Sequence, residues 1–183
     1  MKQHKKNSAR DVAYVGLFAA VMTVCSWIAV PAPIPFTLQT LGLFITVSLL
    51  GGRRGSMAVL IYLLLGLVGA PVFAGFTGGI GIFMGERGGY LIGLFFAALV
   101  MWGMERLSGR SARAAILSMT LGLTVCYTFG TVWFAAVHTR GGNTVSALTA
   151  ISLCVLPYII PDTLKITLAW YIRKRFRPLF LTF

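Results

Sequence analysis

Two charged residues stand where charge is expensive. Asp162 and Lys165 lie three residues apart in an otherwise apolar stretch, Thr144 to Ile172. That spacing puts both on one face of a helix. Arg173 marks the inner end of the helix, so Asp162, eleven residues earlier, lies about 16 Å deeper. A carboxylate and an ammonium at such depth are costly and usually functional. As an acceptor and a donor side by side, they would make a polar floor for a ligand that offers both. Two plainer readings stand beside this one. The pair could neutralise itself as a structural ion pair, or Asp162 could favour a helix N-terminus through its charge.

Other residues invite chemistry less strongly. The stretch Gly75-Phe76-Thr77-Gly78-Gly79-Ile80-Gly81 has a glycine density like a nucleotide loop, but lacks GxxxxGKS/T and follows no strand. It reads either as a flexible loop or as a lid, with Phe73, Gly75, Gly78 and Gly79 as its residues, because irregular backbone near a membrane is tolerated where it lines a cavity. Gly16 and Ala20 form a small-xxx-small face suited to close helix packing, within the bundle or against a partner. Tyr127, Trp133 and Phe134 read as core aromatics or as pocket walls. Cys25, Cys126 and Cys154 lie in separate apolar segments with no ligand-spaced neighbour, and read as small hydrophobes.

The elements that must position these residues are membrane helices. Of 183 residues, 57% are hydrophobic and only 11% charged, with mean hydropathy +0.85. This excludes disorder, a disulfide scaffold and an ordinary soluble domain, and leaves a polytopic membrane protein. The expected fold is an all-α bundle of six transmembrane helices in a single domain over residues 1–183, its pocket opening to the outer side. The net charge of +12 would suit nucleic acid, but its placement argues for a bilayer. Thirteen of the sixteen basic residues fall in four clusters: Lys2, Lys5, Lys6 and Arg10; Arg53 and Arg54; Arg106, Arg110 and Arg113; Arg173, Lys174, Arg175 and Arg177. Clusters at both ends and at alternate loops predict cytoplasmic termini, residues 1–11 and 173–183, facing anionic headgroups.

The expected spans are Val12 to Val30, Phe36 to Leu50, Ser56 to Ala70, Tyr90 to Met104, Ala114 to Val137, and Pro161 to Ile172. The first is a retained helix and not a signal peptide, since no small-residue cleavage site follows it. Pro31, Pro33 and Pro35 should stop it and set an extended outer loop. Gly51 to Gly55 reads as a tight inner turn, Val72 to Gly89 as a glycine-rich outer connection, Glu105 to Arg113 as a basic inner loop, and His138 to Asn143 as an outer turn. Thr144 to Ile172, as one helix, would extend about 43 Å, too long for the hydrocarbon core. Pro157 and Pro161 supply the break, so a short apolar helix should precede Pro157.

Several segments, in order, resemble one family. They are Pro35-Phe36-Thr37-Leu38-Gln39-Thr40; Gly51-Gly52-Arg53-Arg54-Gly55; Tyr62 through Gly75; Gly88-Gly89-Tyr90-Leu91-Ile92-Gly93; Tyr127-Thr128-Phe129-Gly130-Thr131; Trp133-Phe134; and Leu156-Pro157-Tyr158 through Asp162 and Lys165. Together they resemble the biotin-specific substrate-binding (S) component of energy-coupling factor transporters, the BioY family, over most of residues 12–175. The resemblance implies ATP-driven uptake of biotin across a bacterial cytoplasmic membrane. The expected partners are biotin, a transmembrane coupling subunit, two ATP-binding-cassette ATPases and the lipid bilayer, with no nucleic acid, no metal and no cofactor. Gly16 and Ala20 map onto the family's coupling-subunit contact. The implied substrate site takes in Asp162, Lys165, Tyr90, Arg87, Gln39, Thr37, Tyr127 and Trp133. Asp162 would accept from the ureido N–H groups, and Lys165 would donate to the ureido carbonyl or hold Asp162. Tyr127 and Trp133 would wall the ring, and Arg87 or Tyr90 would meet the carboxylate. Two departures fall in the lid: Gly85-Glu86-Arg87-Gly88-Gly89 where Gly-Pro-Thr-Gly-Gly is frequent, and Phe76 where a second glycine is common.

Three other functions compete. An S component for another vitamin is a variant of the same class. A membrane enzyme should show a nucleophile–base pair or a metal cluster, yet His4 and His138 are expected at opposite faces, and Asp11, Glu86, Glu105 and Asp162 are scattered. The last is a structural or pore-forming membrane bundle; a pore lining should repeat polar residues along several spans, whereas here one polar pair is concentrated.

Overall fold

The computed structural model describes residues 2–30, 36–140 and 147–180. Eight helices are described: α1 Lys2–Trp27, α2 Gln39–Leu50, α3 Gly52–Leu67, α4 Ile80–Met84, α5 Gly88–Ser108, α6 Ala112–Arg140, α7 Ala147–Cys154 and α8 Ile159–Phe180. A 3-10 turn, Leu156–Tyr158, joins the last two. Two short strands, β1 Ala29–Val30 and β2 Phe36–Thr37, pair antiparallel with Ala29 opposite Thr37.

Several expected boundaries move, each for a local reason. The first helix ends at Trp27, not Val30, because Val30 precedes Pro31 and such a residue is pushed to extended backbone. Phe36 and Thr37 join the ribbon instead of the second helix, and the Thr37 hydroxyl accepts from the Gln39 N–H at 3.2 Å where α2 begins. Arg53 and Arg54 belong to the first turn of α3, not to a loop. Gly51, with φ +82°, makes the whole reversal alone, since only glycine takes that conformation without strain. Glu105 to Ser108 extend α5, and His138 to Arg140 extend α6; Gly141 to Asn143 of the expected outer turn lie outside the described residues, as do Pro31, Pro33 and Pro35. The short helix before Pro157 and the break after it stand as expected, although α8 starts at Ile159 and continues past Arg173 to Phe180.

Four stretches are long and apolar enough to cross a membrane: Ala9–Trp27, Gly88–Ser108, Ala112–Thr139 and Thr149–Phe176. The apolar helix α2, with twelve residues, is about 18 Å long and so shorter than the hydrocarbon core. The most extensively packed pair is α5 with α6. Glycine makes that approach possible: a Cβ at Gly89 would stand 2.2 Å from the Trp133 Cβ, and one at Gly93 would stand 3.1 Å from the Cys126 carbonyl oxygen.

The two ends of the bundle differ chemically. At one end, Glu105 of α5 accepts from the Gly52 N–H of α3 and from the Arg110 guanidinium. Arg173 of α8, buried, donates to the Arg110 carbonyl at 2.8 Å, and Arg54 pairs with Asp11 at 2.8 Å. The positive end of α3 and the Arg110 guanidinium thus meet at one carboxylate. The opposite end gathers the starts of α2, α5 and α8 around a cavity.

Candidate functional site

Asp162 and Lys165 are 2% and 6% exposed, and their side chains meet at 2.5 Å. Neither is left with an unmet group. Asp162 Oδ1 accepts from Lys165 and, at 3.1 Å, from the Thr40 hydroxyl, while Oδ2 accepts from the Tyr127 hydroxyl. Lys165 Nζ also donates to the Thr37 carbonyl at 2.7 Å and to Thr40 Oγ1 at 3.1 Å. An ammonium has three protons, and all three are engaged. The Phe36 ring covers the same nitrogen, its centre 4.1 Å away, and stacks in turn on Tyr158 at 6.4 Å. Lys165 therefore holds and orients the carboxylate. Asp162 Oδ2 retains acceptor capacity, since an ionised oxygen can take more than one donor.

This cluster forms the floor of a cavity of about 490 Å³, open at its mouth. Thr37, Gln39, Tyr90, Leu94, Cys126 and Tyr127 line it, with Thr40, Cys154 and Tyr158 closing the sides around Asp162 and Lys165. A second cavity, about 430 Å³, shares Thr37, Gln39 and Tyr90 with the first and is completed by Phe73, Ala74, Thr77, Ile82, Arg87 and Leu91. The two are lobes of one cleft. An acidic floor with a held ammonium stands at one end and the Arg87 guanidinium at the other, with largely apolar walls between. Among the described residues no carboxylate lies within ion-pair distance of Arg87: its neighbour Glu86 instead meets His138 Nδ1 at 2.8 Å.

Most sequence-predicted residues come together here. Asp162, Lys165, Tyr127, Thr37, Gln39 and Tyr90 line the lower lobe, and Arg87 and Phe73 the upper. Tyr90, whose hydroxyl lies 3.1 Å from Thr131 Oγ1, belongs to both. Trp133 is the exception. It lines neither lobe; its indole donates to the Gly85 carbonyl at 3.0 Å and its ring packs against Phe129. A side chain on the turn after Tyr127 and Gly130 is carried away from the cleft, so Trp133 pins the connection before α5 instead of walling a ring.

The lid glycines also act indirectly. Gly75 and Gly79 have φ of +74° and +100°, and a Cβ on Gly78 would strike the Ala70 carbonyl at 2.1 Å. They let the loop fold tightly, with Phe73 bridged to Thr77, while Ala74, Thr77 and Ile82 present side chains to the cleft. Phe76 takes φ +56°, a conformation costly for a non-glycine residue, and its ring rests on Trp27 at 4.9 Å. The other departure, Gly85-Glu86-Arg87, is tied down through Trp133 and His138.

Sequence reasoning missed Thr40, Thr77, Tyr158 and the cavity-facing role of Cys126 and Cys154. Thr40 carried a usable signal: a hydroxyl three residues after Thr37 at the start of a helix, in a segment already picked out. Nothing in the sequence alone pointed α6 and α7 cysteines toward the same space.

The sequence matches the BioY family over residues 1–182. It is similar to the probable biotin transporter BioY of Pyrococcus horikoshii, 36% identical over 91% of this chain and 96% of that one. It is also similar to the biotin transporter BioY of Thermotoga maritima, 35% identical over 93% and 97%. Among solved structures, the S-component for biotin from an ECF-type ABC transporter shares the fold with a TM-score of 0.83, at 25% identity, over 94% of this chain and 93% of that one.

Proposed function

The chain belongs to the BioY family, and we propose that it binds biotin as the substrate-specific subunit of an energy-coupling factor transporter. It is a multi-pass helical membrane protein, and its relatives are transporters, not enzymes. The observation that carries the reading is the cleft with Asp162 at one end and Arg87 at the other. Biotin has a ureido ring with N–H donors, an apolar thioether ring, an aliphatic tail and a carboxylate. The ureido head meets Asp162 Oδ2, the ring lies against Tyr127 and Leu94, and the tail runs past Tyr90, Leu91 and Phe73. The carboxylate reaches Arg87, a cation suited to planar bidentate pairing. Thr37 and Gln39 line both lobes and touch the ligand. Biotin is cargo here; no resident cofactor or metal belongs to the site. Labelled biotin should bind the purified protein in lipid nanodiscs and be displaced by unlabelled biotin, while a large excess of thiamine, riboflavin or lipoate leaves it bound. Displacement by one of these and not by biotin would move the chain to another vitamin.

The topology follows from the two ends. The arginine-rich end, with both termini, belongs in the cytoplasm by the positive-inside rule, and the cleft and lid open outward from a bacterial plasma membrane. Six helices, α1, α2, α3, α5, α6 and α8, cross in one transmembrane domain. In intact cells, a membrane-impermeant maleimide should tag Thr77→Cys and leave Ser108→Cys untouched, judged against the parent protein with its three cysteines. Tagging of Ser108→Cys from outside would invert the assignment.

The energy must come from elsewhere, since the sequence holds no nucleotide loop. We assign it to a transmembrane coupling subunit and two ATPases, with Gly16 and Ala20 as the contact. Both are exposed, so they do not pack the bundle itself.

A further inference from the structure

Gln39 lines both lobes of the cleft, and its amide is not free to turn. Its Nε2 donates to the Tyr62 hydroxyl at 2.7 Å. Tyr62, on α3, is 0% exposed, outside both lobes, with its ring edge-to-face against Phe73 at 5.5 Å. Its hydroxyl donates in turn to the Val72 carbonyl at 3.3 Å, where Ser26 of α1 also donates. With the Tyr62 proton on the Val72 carbonyl, an acceptor it shares with Ser26, the phenolic oxygen accepts from the Gln39 amide. In this network the two ends of the amide are distinct. The NH2 edge is spent on Tyr62, and the carbonyl Oε1 is left for the cleft.

We propose that Tyr62 is a positioning residue for specificity: through its hydroxyl it holds the Gln39 amide so that an acceptor, and not a donor, faces the bound ligand. The inference rests on biotin as the ligand with Gln39 in contact with it. Asp162 Oδ2 and Gln39 Oε1 then supply one acceptor for each ureido N–H. Without the Tyr62 hydroxyl nothing holds the amide in that orientation, and in its flipped state it turns a donor toward the ureido N–H.

The test is a cycle of Tyr62→Phe, Gln39→Ala and the double variant, with biotin affinity read by calorimetric titration in nanodiscs and thermal unfolding recorded alongside. Tyr62→Phe keeps the ring against Phe73 and removes one hydrogen-bonding oxygen. It should weaken biotin about three- to tenfold in the otherwise native protein, in line with one unmet hydrogen bond. In the Gln39→Ala background the same change should cost nothing further, because the group being positioned is gone. A loss of equal size in both backgrounds would overturn the proposal and make Tyr62 a support for the Val72 carbonyl and the lid. An unchanged affinity in Tyr62→Phe, with Gln39→Ala weakened, would likewise overturn it while leaving the Gln39 contact intact. Native affinity in Gln39→Ala would overturn the contact itself, and with it any route from Tyr62 to the ligand.

Discussion

Asp162→Asn and Lys165→Met should each weaken biotin binding by at least about tenfold, and the double variant should lose less than the two losses multiplied. Both carboxylate oxygens already accept, Oδ1 from Lys165 and Thr40, Oδ2 from Tyr127. An amide nitrogen on either side would face a donor, so the asparagine keeps the shape and breaks the polarity. On the Oδ2 side it would also turn a donor toward the ureido N–H. Lys165→Met keeps the apolar stem beneath Phe36 but strands Asp162, the Thr37 carbonyl and Thr40 at once. Removing one partner of a buried pair leaves the other charge uncompensated, which costs more than removing both. The signature is therefore the non-additivity, of about 1–3 kcal/mol for contacting residues. Calorimetric titration on the two single variants and the double measures it. Native affinity in both singles would make the pair purely structural and place the pocket elsewhere.

The floor of this site was legible because membrane burial makes two charges conspicuous. Asp162 and Lys165 needed no family knowledge to be noticed, and their helical spacing put them on one face. What the sequence alone did not reveal was how the floor is held. Thr40, Tyr127 and the Thr37 carbonyl reach it from α2, α6 and β2, and no periodicity connects elements that lie 35 to 128 residues apart. The same limit explains Trp133. Its neighbour in the matched sequence, Tyr127, does face the cleft, but six residues of helix turn the chain by more than a full revolution. Helix existence was readable from hydropathy, α4 excepted, and a helix end from glycine at Gly51, whereas before Pro31 the helix stops three residues earlier than expected. The ends that moved, at Arg53-Arg54 and Glu105 to Ser108, are places where charged residues continue a helix past the apolar stretch. Hydropathy sees the membrane there and not the backbone.

The lid departures show why a local motif is weaker evidence than a network. A phenylalanine in place of a glycine at position 76 would be unfavourable on backbone grounds, yet the ring finds Trp27 of α1. Trp27 also donates to the Pro71 carbonyl at 2.9 Å, so α1 grips both ends of the loop's first turn. The helix carrying the small-residue face thus also holds the root of the glycine-rich loop.

Gly16→Leu should abolish most uptake, by about tenfold or more, while changing biotin affinity of the isolated subunit by less than about twofold. The separation follows from what surrounds the residue. A Cβ built on Gly16 meets nothing within 4 Å, unlike one on Gly42, which would meet the Cys25 side chain at 3.1 Å. Ala9, Ala13, Gly16 and Ala20 are all exposed along one side of α1, while Val15, Phe18, Ala19 and Met22 are buried on the other. A leucine at position 16 has room in the isolated chain, so it leaves the bundle and the cleft as they are. It blocks only a helix that must approach this face closely. Uptake in cells expressing the complete transporter, set beside titration of the purified subunit, reads the two effects separately. If affinity falls in step with uptake, the stripe shapes the pocket and the coupling contact lies on another face; if uptake survives, a close helix approach at Gly16 is not what coupling needs.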